Sequence, residues 1–199
     1  MIFLTSDLHF NHDQKFVWEE RGFTSVEEMN EEIIKRFNLM VDEEDDVYIL
    51  GDLCMSGDLA GNKRLIERLN GRLHIIYGNH DTSNRMKMYA DCKNVVELCG
   101  YAAVIKYNKY RFYLSHYPTN TANYDDSEDL KSRTINLCGH IHTKDALCAV
   151  REDRLSYHVE VDAHNCYPVP IDNIILSLMA GYEHQCTCDG KCVECKCKK

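Results

Sequence analysis

Residues 73–81, Leu-His-Ile-Ile-Tyr-Gly-Asn-His-Asp, break an apolar run at Gly78 and then present an amide, an imidazole and a carboxylate in succession. Alone, that would be good turn composition and no more. The arrangement recurs, however. Asp7 and His9 follow the apolar run 2–4, Asp52 follows 47–50, His116 follows 112–114, and His140 and His142 follow 135–137. Each run reads as a short buried strand, so ligand-type side chains stand where strands end, and a parallel α/β sheet gathers such ends into one crevice. A single buried histidine is more often a hydrogen-bonded core residue than a ligand. The joint placement of Asp7, His9, Asp52, Asn79, His116, His140 and His142 reverses that preference. Mixed carboxylate and imidazole sets suit divalent first-row metals, and a two-metal centre also needs one oxygen that bridges both ions. Asp7 and His9 are two apart, as are His140 and His142, so an extended chain is expected to aim both side chains of each pair the same way.

Taken in order, the blocks are Asp-x-His, Gly-Asp, Gly-Asn-His-Asp, a lone His and Gly-His-x-His. They resemble the calcineurin-like metallophosphoesterase superfamily. Leu-Thr-Ser-Asp-Leu-His-Phe at 4–10, Glu-Glu-Met-Asn at 27–30, and Val161-Asp162 with Tyr167-Pro168-Val169 look like its small bacterial and phage phosphoesterases. The resemblance covers roughly residues 1–178 and implies an α/β fold, a four-layer αββα sandwich with two central mixed β-sheets. It further implies that Asp7, His9 and His142 hold one metal, Asn79, His116 and His140 the other, and Asp52 bridges both. His80 would protonate the leaving oxygen, a task that suits an imidazole titrating near neutrality. A water held by two cations would be acidified to serve as nucleophile, while the metals stabilise charge on phosphoryl oxygens.

One departure narrows the activity. The protein phosphatases of this superfamily place an Asp three residues after Gly-Asp, followed by Arg-Gly, whereas here Leu53, Cys54, Met55, Ser56 and Gly57 follow Gly51-Asp52. The expected function is therefore a dinuclear metal-dependent phosphohydrolase, foremost a phosphodiesterase on small or nucleotide-type phosphoesters. A nuclease, a phosphomonoesterase and a non-catalytic metal-binding scaffold are the alternatives; retention of His80 counts against the scaffold. The expected cofactors are two divalent ions, manganese first, with iron, zinc, nickel or magnesium able to take the same ligands.

At 199 residues the chain has room for one catalytic domain, placed at 1–181, before a Cys- and Lys-rich tail at 182–199. The net charge of −9 argues against a broad phosphate-binding surface and favours a small phosphorylated substrate. Two bound cations would make the cleft locally positive whatever the surface carries, so charge leaves a nuclease open. No apolar run approaches the roughly 18 residues of a membrane span, and the first residues read as a strand rather than a leader, which gives a cytoplasmic expectation. Of the 11 cysteines, Cys54, Cys92, Cys99, Cys138, Cys148 and Cys166 read as reduced small hydrophobes. Cys186, Cys188, Cys192, Cys195 and Cys197 crowd the tail as a second soft-metal site, for zinc, or as a disordered segment with reactive thiols.

The elements that must position this chemistry follow from periodicity. Thr24 with Glu27 reads as the start of a helix whose Val26, Met29, Ile33, Phe37 and Met40 share one face. The acidic run 42–46 lacks the pattern of a calcium loop and reads as a solvated turn. Helices are expected at 62–70 and near 84–90, and strands at 95–98, 101–107 and 110–115 open a second sheet around an Asn108-Lys109 turn. A polar loop at 117–133, with Asn120, Asn123, Asp125 and Asp126, leads to strands near 134–138, 147–150 and 157–161, and Asp172 is expected to cap a last helix. The loop 7–22 carries Lys15 besides Asn11, His12 and Arg21; the latter three, with Arg85, are the substrate-binding candidates.

Overall fold

The computed structural model describes residues 1–121, 133–147 and 156–184. Asn123, Asp125, Asp126, Cys148, the strand expected beyond Leu147, and the tail cysteines Cys186, Cys188, Cys192, Cys195 and Cys197 lie outside the described residues.

Strands β1 (Ile2–Thr5), β2 (Asp46–Leu50), β3 (Arg72–Ile76) and β4 (Val95–Gly100) run parallel. The short β9 (Val169–Pro170) adds antiparallel to β1, giving the order β4-β3-β2-β1-β9. A second sheet has the order β5 (Ala102–Tyr107), β6 (Tyr110–Ser115), β7 (Thr134–Cys138), β8 (Ser156–His158). Its β5–β6 hairpin is antiparallel and its β6–β7 and β7–β8 pairs are parallel. The chain is α/β with two mixed sheets.

Side-chain alternation explains how the layers stack. Phe3, Val47, Ile49, Leu73 and Ile75 face one way, into a cluster with Met29, Ile33 and Phe37 of α2 (Val26–Met40) and with Ile66 of α3 (Leu59–Ile66). Met88 and Tyr89 of α4 (Ser83–Ala90) join them. Leu4, Leu50 and Ile76 face the other way and meet Phe112, Leu114, Ile135 and Leu137 of the second sheet. Ile174, Ile175 and Leu178 of α5 (Ile171–His184) complete that second cluster. Both sheets are thus anchored by continuous apolar surface, and their parallel strands deliver β1, β2, β3, β6 and β7 toward one rim.

Several boundaries differ from the sequence reading. Ser25, not Thr24, is the N-cap of α2: its hydroxyl accepts from Glu28 N–H, while Glu28 reaches back to the amide and hydroxyl of Thr24. The capping box is real but shifted by one residue. Met40 sits on the last turn and is 41% exposed, so the apolar face ends at Phe37. Helix α3 starts earlier than expected because Asp58 accepts from Gly61 N–H and fixes the first turn there. The loop 7–22 contains a short helix, α1 (Lys15–Trp18). Strand β4 belongs to the first sheet, paired with β3, so the second sheet opens at β5. Residues 159–161 leave the expected strand, Val161 entering a 3-10 turn with Asp162 and Ala163. Asp172 lies inside the first turn of α5, where its carboxylate accepts from Tyr107 Oη. Helix α5 runs through Gly181 to His184, so the domain boundary placed after Gly181 falls inside a helix.

Cys54, Cys92, Cys99 and Cys166 are free thiols, and Cys138 is buried. Among the described residues no helix is long and apolar enough to cross a membrane.

Candidate metal centre

The residues that end the strands take an unusual backbone. Asp7, His9, Asp52, His140 and His142 all have positive φ, between 51° and 78°. For residues with a Cβ this left-handed region costs roughly 1–2 kcal/mol each, and such strain gathers where a side chain must be aimed at a defined point. The expectation that an extended chain aligns Asp7 with His9 and His140 with His142 is therefore corrected: alternate left-handed residues fold each segment back on the rim. Two motif glycines leave room for the carboxylates. A Cβ on Gly78 would sit 2.1 Å from Asp52 Oδ1, and one on Gly139 would sit 2.2 Å from Asp7 Oδ2.

Asp7 Oδ1 lies 3.7 Å from His9 Nε2 and 3.7 Å from His142 Nε2. These gaps are too long for hydrogen bonds and match two ligands flanking one ion at bonds of about 2.0–2.2 Å. Asp52 Oδ2 lies 3.5 Å from His116 Nε2 and 3.9 Å from both His9 Nε2 and His80 Nε2. His116 Nε2 is in turn 2.8 Å from Asn79 Oδ1 and 3.1 Å from His140 Nδ1, while its Nδ1–H donates to Leu50 O at 2.8 Å. The ligand atoms of Asp7, His9 and His142 all fall within 4.8 Å of one another, as do those of Asp7, Asp52 and His116.

Two observations test whether cations fit. Asp7 Oδ1 and His9 Nε2 are buried with no hydrogen-bond partner in the protein, an expensive arrangement that a metal ion relieves. The protonation states also suit coordination. Burial, aided by the neighbouring imidazoles, lowers the pKa of His140 and favours the neutral ring, which has one nitrogen lone pair to offer. Burial lowers His9 too, against the pull of Asp7. Asp7 itself is held below the usual carboxylate range: burial works to raise it, but His9, His116 and Ser6 together prevail. The residues present fit divalent metals.

Around these groups stands a layer that the sequence reading did not assign. Asp162 Oδ2 lies 2.8 Å from His142 Nδ1, and burial, which would raise its pKa, is overcome by His142 and Arg21, so it stays ionised. His142 responds in the opposite sense: burial lowers it, yet Asp162 and Asp7 together raise it. Asp81 accepts from Asp52 N–H at 3.0 Å, Gly78 N–H at 2.8 Å and Tyr89 Oη at 2.6 Å, which locks the Gly-Asp turn onto the Gly-Asn-His-Asp turn. Glu160, fully buried beside His158, accepts from Thr143 N–H and steadies the loop that carries His140 and His142. The signals for Asp81 and Asp162 were present in Gly-Asn-His-Asp and Val161-Asp162; nothing in the sequence marks Glu160.

The substrate-binding candidates fare unequally. Arg21 is not available to a substrate: its side chain is 2% exposed, forked onto Asp162 at 2.9 Å through two bonds, and donating to Asp7 O and Leu8 O. Arg85 is likewise committed, to the carbonyls of His80, Met55 and Ser56. Asn11 exchanges side-chain amide bonds with Asn30 and Asn62, fastening its loop to α2 and α3. His12 alone borders the centre, its ring 5.2 Å from that of His9, with burial and then the nearby His9 pulling its pKa down to about 4. His80 is 44% exposed, so a ring 3.9 Å from Asp52 also opens to the cleft.

The family profile described as "Calcineurin-like phosphoesterase superfamily domain" matches residues 1–157. The chain belongs to that superfamily. The span of the calcineurin-like match includes Asp7, His9, Asp52, Asn79, His80, His116, His140 and His142, and stops short of Asp162. The chain is 36% identical over 183 residues to the uncharacterized protein MJ1445 of Methanocaldococcus jannaschii, covering 90% of this chain and 92% of that one. It is also similar in structure to AQ665 of Aquifex aeolicus, a protein of unknown function, with a TM-score of 0.68 and 20% identity over 89% of this chain and 98% of that one. At that identity the likeness concerns the fold alone.

Proposed function

We propose that this calcineurin-like phosphoesterase is a dinuclear, manganese-dependent phosphodiesterase acting on small or nucleotide-type phosphoesters. The observation that carries the reading is the position of Asp52 Oδ2, which faces His9, His116 and His80 within 4 Å. A carboxylate oxygen shared between the His9 side and the His116 side is what a bridging ligand requires. Asp7, His9 and His142 would hold one ion and Asn79, His116 and His140 the other. When bound, two cations supply a nucleophile at neutral pH and neutralise the phosphoryl oxygens.

The chain's own contribution is to orient and to move one proton. His80 N–H donates to Asp52 Oδ1 at 2.9 Å, and Arg85 grips the His80 carbonyl, so the His80 backbone is held from both ends. Its ring then stands half-exposed beside the bridging carboxylate, placed to donate a proton from Nε2 to the departing ester oxygen. Among the described residues no carboxylate other than Asp52 comes within 4.0 Å of the His80 ring, which leaves His80 without the acidic partner of the protein phosphatases and favours small substrates.

Hydrolysis of bis-p-nitrophenyl phosphate and p-nitrophenyl phosphate by manganese-loaded protein tests the reading. A higher kcat/KM on the diester is expected. Turnover of the monoester alone would make the protein a phosphomonoesterase, and turnover of neither would return it to the scaffold reading.

A further inference from the structure

Away from the metal centre, on the β3–β4 pair, His74, Glu97 and Cys99 bring imidazole, carboxylate and thiol atoms within 4.8 Å of one another. Glu97 and Cys99 are alternate residues of β4 and share a face; His74 pairs with Glu97 across the ladder, whose register slips on both sides of the His74–Ile75 step. We propose that these three residues form a second cation site, selective for zinc(II), that fastens the edge strand β4 to β3.

The surroundings prepare His74 as a ligand. Its Nε2 lies 2.9 Å from Asp46 Oδ1, and the Asp46 carboxylate is itself paired with Arg72 at 3.0 and 2.7 Å. Tyr48 stacks on the imidazole with ring centroids 4.6 Å apart and fixes its plane. A carboxylate taking the proton of one imidazole nitrogen, and so orienting the other toward a metal, is the usual outer support of a zinc histidine. Here that leaves Nδ1 directed at Glu97 Oε2, 2.9 Å away. Two lone pairs cannot face each other at that distance without a proton or a cation between them. Glu97 has no other ion-pair partner among the described residues.

The thiol decides between those two occupants. A second proton on His74 would satisfy Asp46 and Glu97 and leaves Cys99 only a thiol hydrogen bond to the Glu97 carboxylate. A zinc ion uses all three groups, and nitrogen, oxygen and sulfur donors together are a zinc set, with a fourth position left to solvent on the side where Glu97 is 58% exposed. Burial and then the Glu97 charge push the Cys99 thiol up to about 11, so sulfur carries its proton at neutral pH until a cation replaces it. Binding releases that proton to solvent.

The test uses the full chain, stripped with EDTA and treated with iodoacetamide with and without zinc. Cys99 alkylation is followed on its own tryptic peptide, residues 94–106, so that other thiols are counted apart. Zinc is expected to slow alkylation of Cys99 about tenfold or more, magnesium to leave it unchanged, and Asp52→Asn to retain the protection. Glu97→Gln, at an exposed position, and His74→Gln should each lose most of it, because each replaces one of the three proposed donors by a neutral amide. Equal alkylation with and without zinc overturns the site. So does full protection in both variants, which would place the zinc at the metal centre and make Cys99 a bystander.

Discussion

Asp162 Oδ2 stands 2.8 Å from His142 Nδ1, and the same carboxylate is forked by Arg21, whose guanidinium also holds the carbonyls of Asp7 and Leu8. One buried ion pair therefore ties the two ends of the ligand set together: the loop that carries Asp7 and His9, and the loop that carries His142. Removing its charge should loosen both without deleting any ligand.

Asp162→Asn is accordingly expected to weaken metal binding about 10–100-fold, the range for a carboxylate that orients a metal-bound imidazole. Manganese titration followed by calorimetry reads this directly. An affinity equal to that of the unaltered protein would show that His142 is oriented by the backbone alone.

His80→Asn should keep its metal content while losing about two to four orders of magnitude in kcat, the span of a positioned general acid. The deficit should narrow on esters whose leaving groups need no proton. A deficit of the same size across leaving groups of low and high pKa would mean that His80 does something other than protonate the departing oxygen.

Asp52→Asn should hold its fold, because the retained Oδ1 can still accept from His80 N–H, and should lose bound metal together with activity. A loss of about 100-fold or more in activity is expected, larger than for any other single ligand, since in the proposed dinuclear centre both coordination spheres would draw on Asp52. Two equivalents of bound metal with full turnover would refute its shared role.

What could be read from the sequence was the chemistry of side chains, and what could not was long-range pairing and backbone twist. Asp7, Asp52, Asn79, His116 and His140 announced themselves because each follows an apolar run whose burial and direction are set by local pattern. Arg21 and Asp162 are 141 residues apart, and no local signal tells an arginine in a loop that it will be buried against an aspartate rather than left for a substrate. The left-handed backbone at Asp7, His9, His140 and His142 escaped for a different reason: these residues prefer other conformations, and only the demands of the site hold them there. Strand β4 was assigned to the wrong sheet because two parallel pairs and a hairpin can share one sequence rhythm until Gly100, with φ of 76°, turns the chain.

Tyr89→Phe isolates the structural role of the network beneath the Gly-Asp turn. Tyr89 is fully buried, and its hydroxyl donates to Asp81 Oδ1 at 2.6 Å with Cys54 Sγ 3.3 Å away. Losing that donor leaves a buried carboxylate oxygen short of a partner, at a cost of about 1–3 kcal/mol. Urea denaturation in EDTA should show a lower midpoint with an unchanged slope, while activity of the metal-loaded protein stays near normal because Asp81 Oδ2 still accepts from Asp52 and Gly78. A midpoint within error of the unaltered protein would mean that the hydroxyl is dispensable.

The metal-free protein should lose stability as pH falls from neutrality toward 4. His12 is held at about 4 against an ordinary 6.5, chiefly by burial, and burial likewise lowers His9, His140 and His164. Below 6.5 the unfolded chain takes up protons on these imidazoles that the folded chain refuses, so their contribution is present above 6.5 and drains away as pH drops through the folded values. His142 has the opposite sign: its raised value adds stability that is fully present below 6.5 and is lost as pH climbs past the raised value, so it acts above 6.5 and leaves the slope below 6.5 to the other imidazoles. The carboxylates of Asp7 and Asp162, both held low, continue the loss only below the ordinary carboxylate range. Urea midpoints in EDTA between pH 6.5 and 4.5 should therefore fall steadily, and His12→Gln should flatten the curve by removing one of the refused protons. An identical pH slope in that variant would show that His12 protonates as freely in the folded chain as in the unfolded one.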